Sequence, residues 1–148
     1  MPQYNEFYKQ FTQKLSVSIA SFPQNFNVPN HQNNKAYLGY NTGKSGIKFY
    51  TEYTSRGYSQ GYVGFIVGVY LDGSNYNSRL HKLSQHRSNI ESSIGDKLNW
   101  IDTDRAGRIF YILRKNIEDE QQWASIINWE IEKLIKIIHT FQPYIDEL

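Results

Sequence analysis

The chain has 148 residues, a formal net charge of +2 and no cysteine. This length allows one domain with its own core, and the lack of cysteine excludes disulfides, thiolate metal sites and a cysteine nucleophile. The longest apolar run is far shorter than the ~20 residues that a membrane helix needs, and the N-terminal residues lack the apolar core of a secretory signal. We therefore expect one cytoplasmic domain over residues 1–148.

The charge is distributed unevenly along the chain. Residues 118–148 carry seven acids and two bases, a net charge of −5, whereas residues 1–117 carry fourteen bases and seven acids, a net charge of +7. This asymmetry fits either electrostatic complementarity within the fold or a dimer, or a basic face for nucleic acid. Because the bases are scattered and phosphate binding requires a concentrated patch, the first interpretation is favoured.

The first predicted element is a helix over about residues 3–20. Its apolar residues recur at spacings of three and four: Tyr4, Phe7, Tyr8, Phe11, Leu15 and Ile19. A loop rich in Asn and Gln follows at 21–34. Two-residue alternation then predicts strands over 36–40 and 47–53, with a hairpin connection over 41–46. One side of the second strand carries Ile47, Phe49 and Tyr53.

Residues 61–71 are predicted to form the central strand of the sheet. The odd positions are all apolar: Val63, Phe65, Val67, Val69 and Leu71. They should pack under the helices, since side chains on a strand alternate between two faces. The even face, which combines tyrosines and glycines with Ile66, should be turned towards whatever the protein contacts.

Further along the chain, a helix is predicted over 75–94, with Ser74 or Asn75 as its cap and Gly95 at its end. Its apolar face consists of Leu80, Leu83, Ile90 and Ile94. Strands follow at 98–101 and 108–114. The last helix carries Ile127, Ile131, Leu134, Ile138, Phe141 and Ile145, and Pro143 should kink or end it. The order α-β-β-β-α-β-β-α predicts an α+β fold, an antiparallel sheet of about five strands with helices mainly on one face.

Two patterns that resemble catalytic or ligand motifs are weak. Gly43-Lys44-Ser45 matches the end of a phosphate-binding loop, but Leu38 occupies the position of the required first glycine and a strand follows instead of a helix. A hairpin turn is therefore favoured. The four histidines, His31, His81, His86 and His139, show no metal-ligand spacing. We expect no metal and no cofactor.

A small metal-dependent nuclease is the alternative enzymatic hypothesis. Glu52 and Asp72 would be its ion-binding carboxylates, since such sites place carboxylates and a lysine at the ends of adjacent strands. No Glu-x-Lys pattern occurs on a predicted strand, so this alternative is disfavoured.

A binding surface is the stronger hypothesis. Tyr62 and Tyr70, with Tyr50 beside them, would form an aromatic surface next to the bases Lys48, Arg108 and Arg114. Nucleic-acid bases stack on such surfaces. The same face would equally suit a second subunit or a covering loop, and Gly64 and Gly68 would allow close approach of either. Apolar and aromatic patches usually mark self-association, which favours a homodimer.

Several stretches, in order and spacing, resemble a bacterial family catalogued as a domain of unknown function. These stretches are the hairpin Gly43-Lys44-Ser45-Gly46, Tyr70-Leu71, Ile90-Glu91 with Ile94-Gly95, Leu98-x-Trp100, Arg105-Ala106-x-Arg108-Ile109, and Trp123 through Trp129, Lys133-Leu134, Phe141 and Pro143 to Ile145. The family usually shows arginine at the position of Lys44, so the charge is kept and a planar fork is lost.

Members of that family often follow a restriction-endonuclease-like nuclease domain, which is absent from these 148 residues. The resemblance therefore implies an accessory module of DNA-processing or defence proteins and carries over no catalytic residue. We expect a non-enzymatic binding module that contacts a second copy, a nuclease partner protein or nucleic acid. Its candidate contact residues are Lys44, Lys48, Tyr50, Tyr62, Tyr70, Arg105, Arg108 and Arg114.

Overall fold

A computed structural model describes residues 3–55 and 63–148. Over these residues the chain forms four α-helices and five strands, in an order that agrees with the predicted α+β fold. The helices are α1 (Tyr4–Val17), α2 (Tyr76–Ser84), α3 (Arg87–Ile94) and α4 (Trp123–Asp146). The strands are β1 (Tyr37–Asn41), β2 (Ile47–Thr54), β3 (Gly64–Leu71), β4 (Asn99–Asp102) and β5 (Gly107–Leu113).

The five strands form one antiparallel sheet in the order β1-β2-β3-β5-β4. The prediction that residues 61–71 form the central strand is confirmed for β3; Gly61 and Tyr62 lie outside the described residues. Its odd side chains, Phe65, Val67, Val69 and Leu71, are fully buried in the main core. Helix α4 packs against β2 and β3, and α2 packs against β3 and β5. The helices thus cover the odd face, as their apolar stripes require.

Three local predictions need correction. The helix expected over 75–94 is broken into α2 and α3 at Gln85 and His86, although its four apolar residues are buried as predicted. Helix α4 continues through Pro143 to Asp146, so the proline does not end it. Ile19 is 41% exposed because α1 ends at Val17 and a 3₁₀ turn carries residue 19 away from the apolar face. Gly95 does end α3, with a left-handed φ of 79° that glycine adopts readily.

The core contains one carboxyl group. Glu130 on α4 is 0% exposed, and neither of its carboxylate oxygens has a hydrogen-bond partner within the described ranges. Burial raises the pKa of Glu130 well above its usual value, since the charged form is disfavoured away from water. Glu130, one of the seven acids counted in residues 118–148, therefore does not contribute to an acidic surface on the last helix.

Candidate functional site on the sheet face opposite the helices

On the even face of the sheet, the side chains at the centre are buried, whereas the side towards β1 is exposed to solvent. At the centre, Tyr50, Ile66 and Phe110 form a second, smaller buried cluster. A Cβ added at Gly68 would lie 2.1 Å from the Ile109 carbonyl oxygen and 2.7 Å from the Phe110 Cβ. The space left by this glycine is therefore filled by the neighbouring strand β5. The expectation that Gly64 and Gly68 admit an external partner is not supported by this packing, because a Cβ at Gly64 would likewise meet β5.

The open side of this face holds a cavity of about 560 Å³, which we call the sheet-face cavity. This volume lies within the range of ordinary ligand pockets. The cavity extends over strands β1, β2 and β3 to Arg108 on β5 and is bordered by the loop before β1. The lining residues are Pro29, Asn30, Gln32, Lys35, Tyr37, Leu38, Gly39, Lys48, Tyr50, Glu52, Tyr70, Asp72 and Arg108.

Gly39 creates the depression on the β1 side of the cavity. It lies opposite Tyr50 in the β1–β2 register and presents no side chain to this face. A Cβ at Gly39 would meet only the Cδ atom of Lys48, at 3.3 Å. The aliphatic stem of Lys48 therefore runs from β2 across β1. Tyr37, which flanks Gly39 on the same face, is 51% exposed.

Arg108 lies on the β5 side of the cavity, where three neighbouring side chains hold its guanidinium in place. Its guanidinium lies 4.7 Å from the ring centroid of Tyr70 and 5.5 Å from that of Tyr50. Its Nη1 donates to Glu52 Oε1 at 3.2 Å. A cation held between aromatic faces and a carboxylate is strongly positioned. The ring face of Tyr70 that meets Arg108 is thus occupied from within the chain.

The structure places the eight predicted contact residues in different environments. Lys48, Tyr50, Tyr70 and Arg108 meet around the sheet-face cavity, but Tyr50 is buried. Tyr62 lies outside the described residues. Arg105 and Arg114 are exposed and do not line the cavity.

Lys44 has an intramolecular role. Its Nζ donates to the main-chain oxygens of Leu148 at 2.6 Å and Asp146 at 3.3 Å, at the end of α4. A lysine at a helix C-terminus binds the carbonyls that have no partner within the helix. The glycines of this loop, Gly43 and Gly46, have φ values of 81° and 82°, as the turn of a hairpin requires. The hairpin interpretation of Gly43-Lys44-Ser45 is confirmed by the β1–β2 pairing on either side of it.

The two carboxylates of the nuclease hypothesis are far apart. Asp72 lies opposite Gly46, to whose carbonyl its amide donates at 2.9 Å. Glu52 is six residues further along the same strand, which corresponds to about 20 Å at ~3.3 Å per residue. Two ligands of one metal ion must approach within a few ångströms. No group of three or more His, Cys, Asp or Glu side chains suited to a metal occurs within the described residues.

Sequence reasoning missed seven residues of the cavity, and these include Lys35, Tyr37 and Gly39. Lys35 and Tyr37 lie where the polar loop meets β1, and a loop has no periodicity that predicts its position over a sheet. Alternation along 36–40 does place Tyr37 and Gly39 on one face. This signal was present in the sequence and identifies the face, although the sequence does not show that the face stays open.

The fold defines the chain as an α+β domain whose antiparallel sheet is covered by helices on one face and carries a cavity on the other. The family model described as Domain of unknown function (DUF4268) matches residues 3–145. The chain therefore belongs to that family. No curated protein and no solved structure matches the chain. Within the described residues, no helix has the length and apolar character needed to cross a membrane.

Proposed function

We propose that this chain is a non-enzymatic accessory domain that binds a protein partner at the sheet-face cavity, within a DNA-processing or defence-related system. The carrying observation is the cavity itself, a preformed depression whose rim combines the exposed ring of Tyr37 with Lys48 and the main chain of β1. An exposed aromatic ring beside a preformed pocket is typical of protein-contact sites. The system to which the domain belongs is proposed from its resemblance to modules that follow nuclease domains.

The arrangement of charge favours protein over nucleic acid. Among the predicted basic contacts, Lys44 binds the end of α4 and Arg108 is ion-paired with Glu52. Glu52 and Asp72 also line the cavity, so its bases do not form a concentrated positive patch. Nucleic-acid binding depends on a concentration of bases that neutralises several phosphates. Tyr50 is buried and offers no ring face to a base.

The homodimer stays a prediction, and its expected surface is smaller than the sequence suggested. The middle of the even face is already closed by Ile66 and Phe110. A second copy on this face would therefore contact its open side, around Tyr37. Sedimentation velocity of the full chain at several concentrations measures whether the chain forms a dimer.

The nuclease alternative draws no support from the separation of Glu52 and Asp72. Incubation with Mg²⁺ or Mn²⁺ and labelled single- and double-stranded DNA should leave the substrate intact. Metal-dependent cleavage that disappears in Glu52→Ala would instead establish an enzyme.

Site-specific photocrosslinking tests the proposed function. The chain is produced in its host cell with p-benzoylphenylalanine in place of Tyr37, a substitution that keeps an aromatic ring at an exposed position. The matched control places the same group at Val17, which is 78% exposed on α1 in the helical layer. We expect a discrete protein adduct at position 37 and none at position 17. Nuclease-sensitive adducts, identical adducts at the two positions, or no adduct at position 37 would refute the proposal.

A further inference from the structure

We infer that β1 is a docking edge, to which an extended segment of the partner protein adds as a sixth strand, with an acidic side chain seated in the sheet-face cavity next to Lys48. This inference rests on the proposed function and specifies how the partner is recognised. Strand addition at a sheet edge is a common mode of peptide binding, in which main-chain hydrogen bonds provide affinity and pockets for alternate side chains provide specificity.

The outer edge of β1 has unused main-chain hydrogen-bonding groups. The amide of Tyr53 donates to the carbonyl of Ala36 at 2.8 Å, which marks residues 36 and 53 as a hydrogen-bonded pair. Such pairs alternate along an antiparallel ladder, so residues 37, 39 and 41 direct their N–H and C=O groups away from β2. Within residues 3–55 and 63–148, no hydrogen bond is made to the main-chain groups of these three residues.

Helix side chains bind the ends of both edge strands. At the β4 edge, the carboxylate of Glu91 on α3 accepts from the amide of Leu98 at 2.7 Å and from Trp100 Nε1 at 3.2 Å. Asp102, the last residue of β4, accepts from Tyr76 Oη at 2.9 Å. Helices α2 and α3 therefore attach to β4 through side chains.

Sheet edges in native proteins are usually covered or interrupted. The helix side chains that attach to β1 bind at its two ends, where Tyr8 Oη donates to the carbonyl of Ala36 at 2.8 Å and Gln142 Nε2 donates to the carbonyl of Thr42 at 2.9 Å. These contacts therefore do not use the outward main-chain groups of residues 37, 39 and 41.

The side chain opposite Gly39 in an added strand would enter the cavity. Residues directly opposite each other in a sheet point to the same face, with their Cβ atoms about 5 Å apart. Gly39 and its flanking residues Tyr37 and Asn41 all face the cavity side of the sheet. Because Gly39 has no side chain, a side chain from the added strand would lie there against the flexible stem of Lys48, whose Cδ is 3.3 Å from the position of a Cβ on Gly39.

The positive charges on the β1 side of the cavity favour an acidic side chain at that position of the added strand. Lys35 and Lys48 line the β1 side of the cavity, and no ion pair to either occurs among the described residues. The carboxylates of Glu52 and Asp72 lie on β2 and at the end of β3, and Glu52 is held by Arg108. An Asp or Glu opposite Gly39 would therefore meet an ammonium whose charge has no partner.

A second copy of the chain fits this edge less well than an acidic segment. Antiparallel pairing of β1 with its own copy about a twofold axis centred on the strand would place Gly39 opposite Gly39. The Lys48 side chain of each copy, which runs across β1 towards Gly39, would then approach its symmetry mate. Two ammonium groups brought close together repel each other, which disfavours this pairing.

Selection from a phage-displayed library of random 12-residue peptides tests the inference. The full chain is the target, and Gly39→Pro is the counter-selection target, because proline removes the outward amide while an edge position tolerates it. Circular dichroism and thermal unfolding establish that Gly39→Pro is folded. Lys48→Glu keeps every main-chain donor and reverses the charge, and Lys9→Glu, at an exposed position on α1, is the matched charge control.

We expect selected peptides to alternate β-branched residues around a central Asp or Glu. Fluorescence anisotropy should show at least about tenfold weaker binding to Lys48→Glu and unchanged binding to Lys9→Glu. In the complex, hydrogen exchange should slow at the amides of residues 37, 39 and 41. The amides of residues 38 and 40, already bonded to β2, should change little. This alternating pattern distinguishes strand addition from any other contact at the same place.

Three outcomes would overturn the inference. Strand addition at β1 is excluded if the selected peptides bind Gly39→Pro as tightly as the native chain. It is also excluded if no peptide is enriched on the native chain relative to that variant. A concentration-dependent dimer that is lost in Gly39→Pro makes the second copy the occupant. If photocrosslinking at position 37 captures a protein while the edge amides stay unprotected, the proposed function stands and strand addition fails. If no protein is crosslinked at position 37 either, both the proposed function and strand addition fail.

Discussion

Glu130 provides the sharpest test of the packing, because it is a carboxyl group in an apolar core. It is 0% exposed, and its two oxygens have no hydrogen-bond partner within the described residues. The titratable groups that interact with it are Tyr8 on α1 and Tyr40 on β1, whose pKa values are raised first by burial and further by this carboxyl. No basic side chain contributes to the shift of the Glu130 pKa, which has burial as its cause.

The pH dependence of stability follows from the raised pKa of Glu130. The unfolded state releases the proton near pH ~4.3, the ordinary value for Glu, while the folded state keeps it to higher pH. Above that pH the unfolded state binds fewer protons than the folded state, so stability falls as pH rises. The slope from this one group is about 1.4 kcal/mol per pH unit for as long as the folded carboxyl holds its proton. Below pH ~4 the penalty is absent.

Two substitutions separate the charge from the polarity of Glu130. Glu130→Gln keeps the shape and removes the ionisation, so it should abolish this part of the pH slope. Glu130→Met also removes the unpaired polar atoms, whose burial costs about 1–3 kcal/mol. We therefore expect Glu130→Met to raise the free energy of unfolding at pH 7 by at least about 2 kcal/mol.

Urea unfolding at several pH values between 5 and 8 measures these effects. Glu132→Gln is the control, since Glu132 lies on the same helix with its side chain 64% exposed and should leave the slope unchanged. The reasoning would be refuted if Glu130→Met were less stable than the native chain at pH 7. An identical pH slope in the native chain and Glu130→Gln would refute it equally.

The other two predictions concern one carboxylate and one pair of glycines. Glu91→Ala should lower the free energy of unfolding by about 2–3 kcal/mol, because Leu98 and Trp100 each lose a charge-assisted hydrogen bond, as thermal unfolding would show. The backbone hydrogen bond from Leu98 is the first cause that lowers the pKa of Glu91. The stabilisation by this carboxylate is therefore present above pH ~4.3 and is lost as pH falls through the folded pKa. A Glu91→Ala variant as stable as the native chain at pH 7 would contradict the assignment. Gly68→Ala should abolish the cooperative fold, because its Cβ would lie 2.1 Å from a main-chain oxygen of β5. Gly39→Ala, where only a flexible lysine stem must move, should change stability by no more than about 1 kcal/mol, and equal effects of the two glycine substitutions in urea unfolding would show that the packing is misassigned.

The packing of the even face of the sheet could not be predicted from the sequence. Alternation correctly assigned Phe65, Val67 and Val69 to the core, because the period of a strand is a local property. The glycines of β3 suggest room for a partner, yet strand β5 fills this space, with Ile112 next to Gly64 and Phe110 next to Gly68. Which side chain fills the gap above a glycine depends on strand pairing, which brings together residues about forty positions apart in the chain.

The candidate site was predicted in part. Lys48, Tyr70 and Arg108 do meet at one place, since residues on the same face of paired strands converge. The sequence does not show that Arg108 is held by Glu52 or that Lys44 binds the end of α4. These pairings involve partners far away in the chain, and a count of charges along the chain does not distinguish a paired base from one that has no partner.

The amino-acid sequence by itself determined the fold class, the central strand and the apolar faces of the helices, because periodicity and turn chemistry act between neighbours. Only the tertiary structure decided that Glu130 is buried with no hydrogen-bond partner among the described residues, that the middle of the even face is buried, and that Gly39 opens a cavity at the edge. Burial and electrostatic pairing depend on distances in space, and these distances are set once the sheet and its helices have packed together.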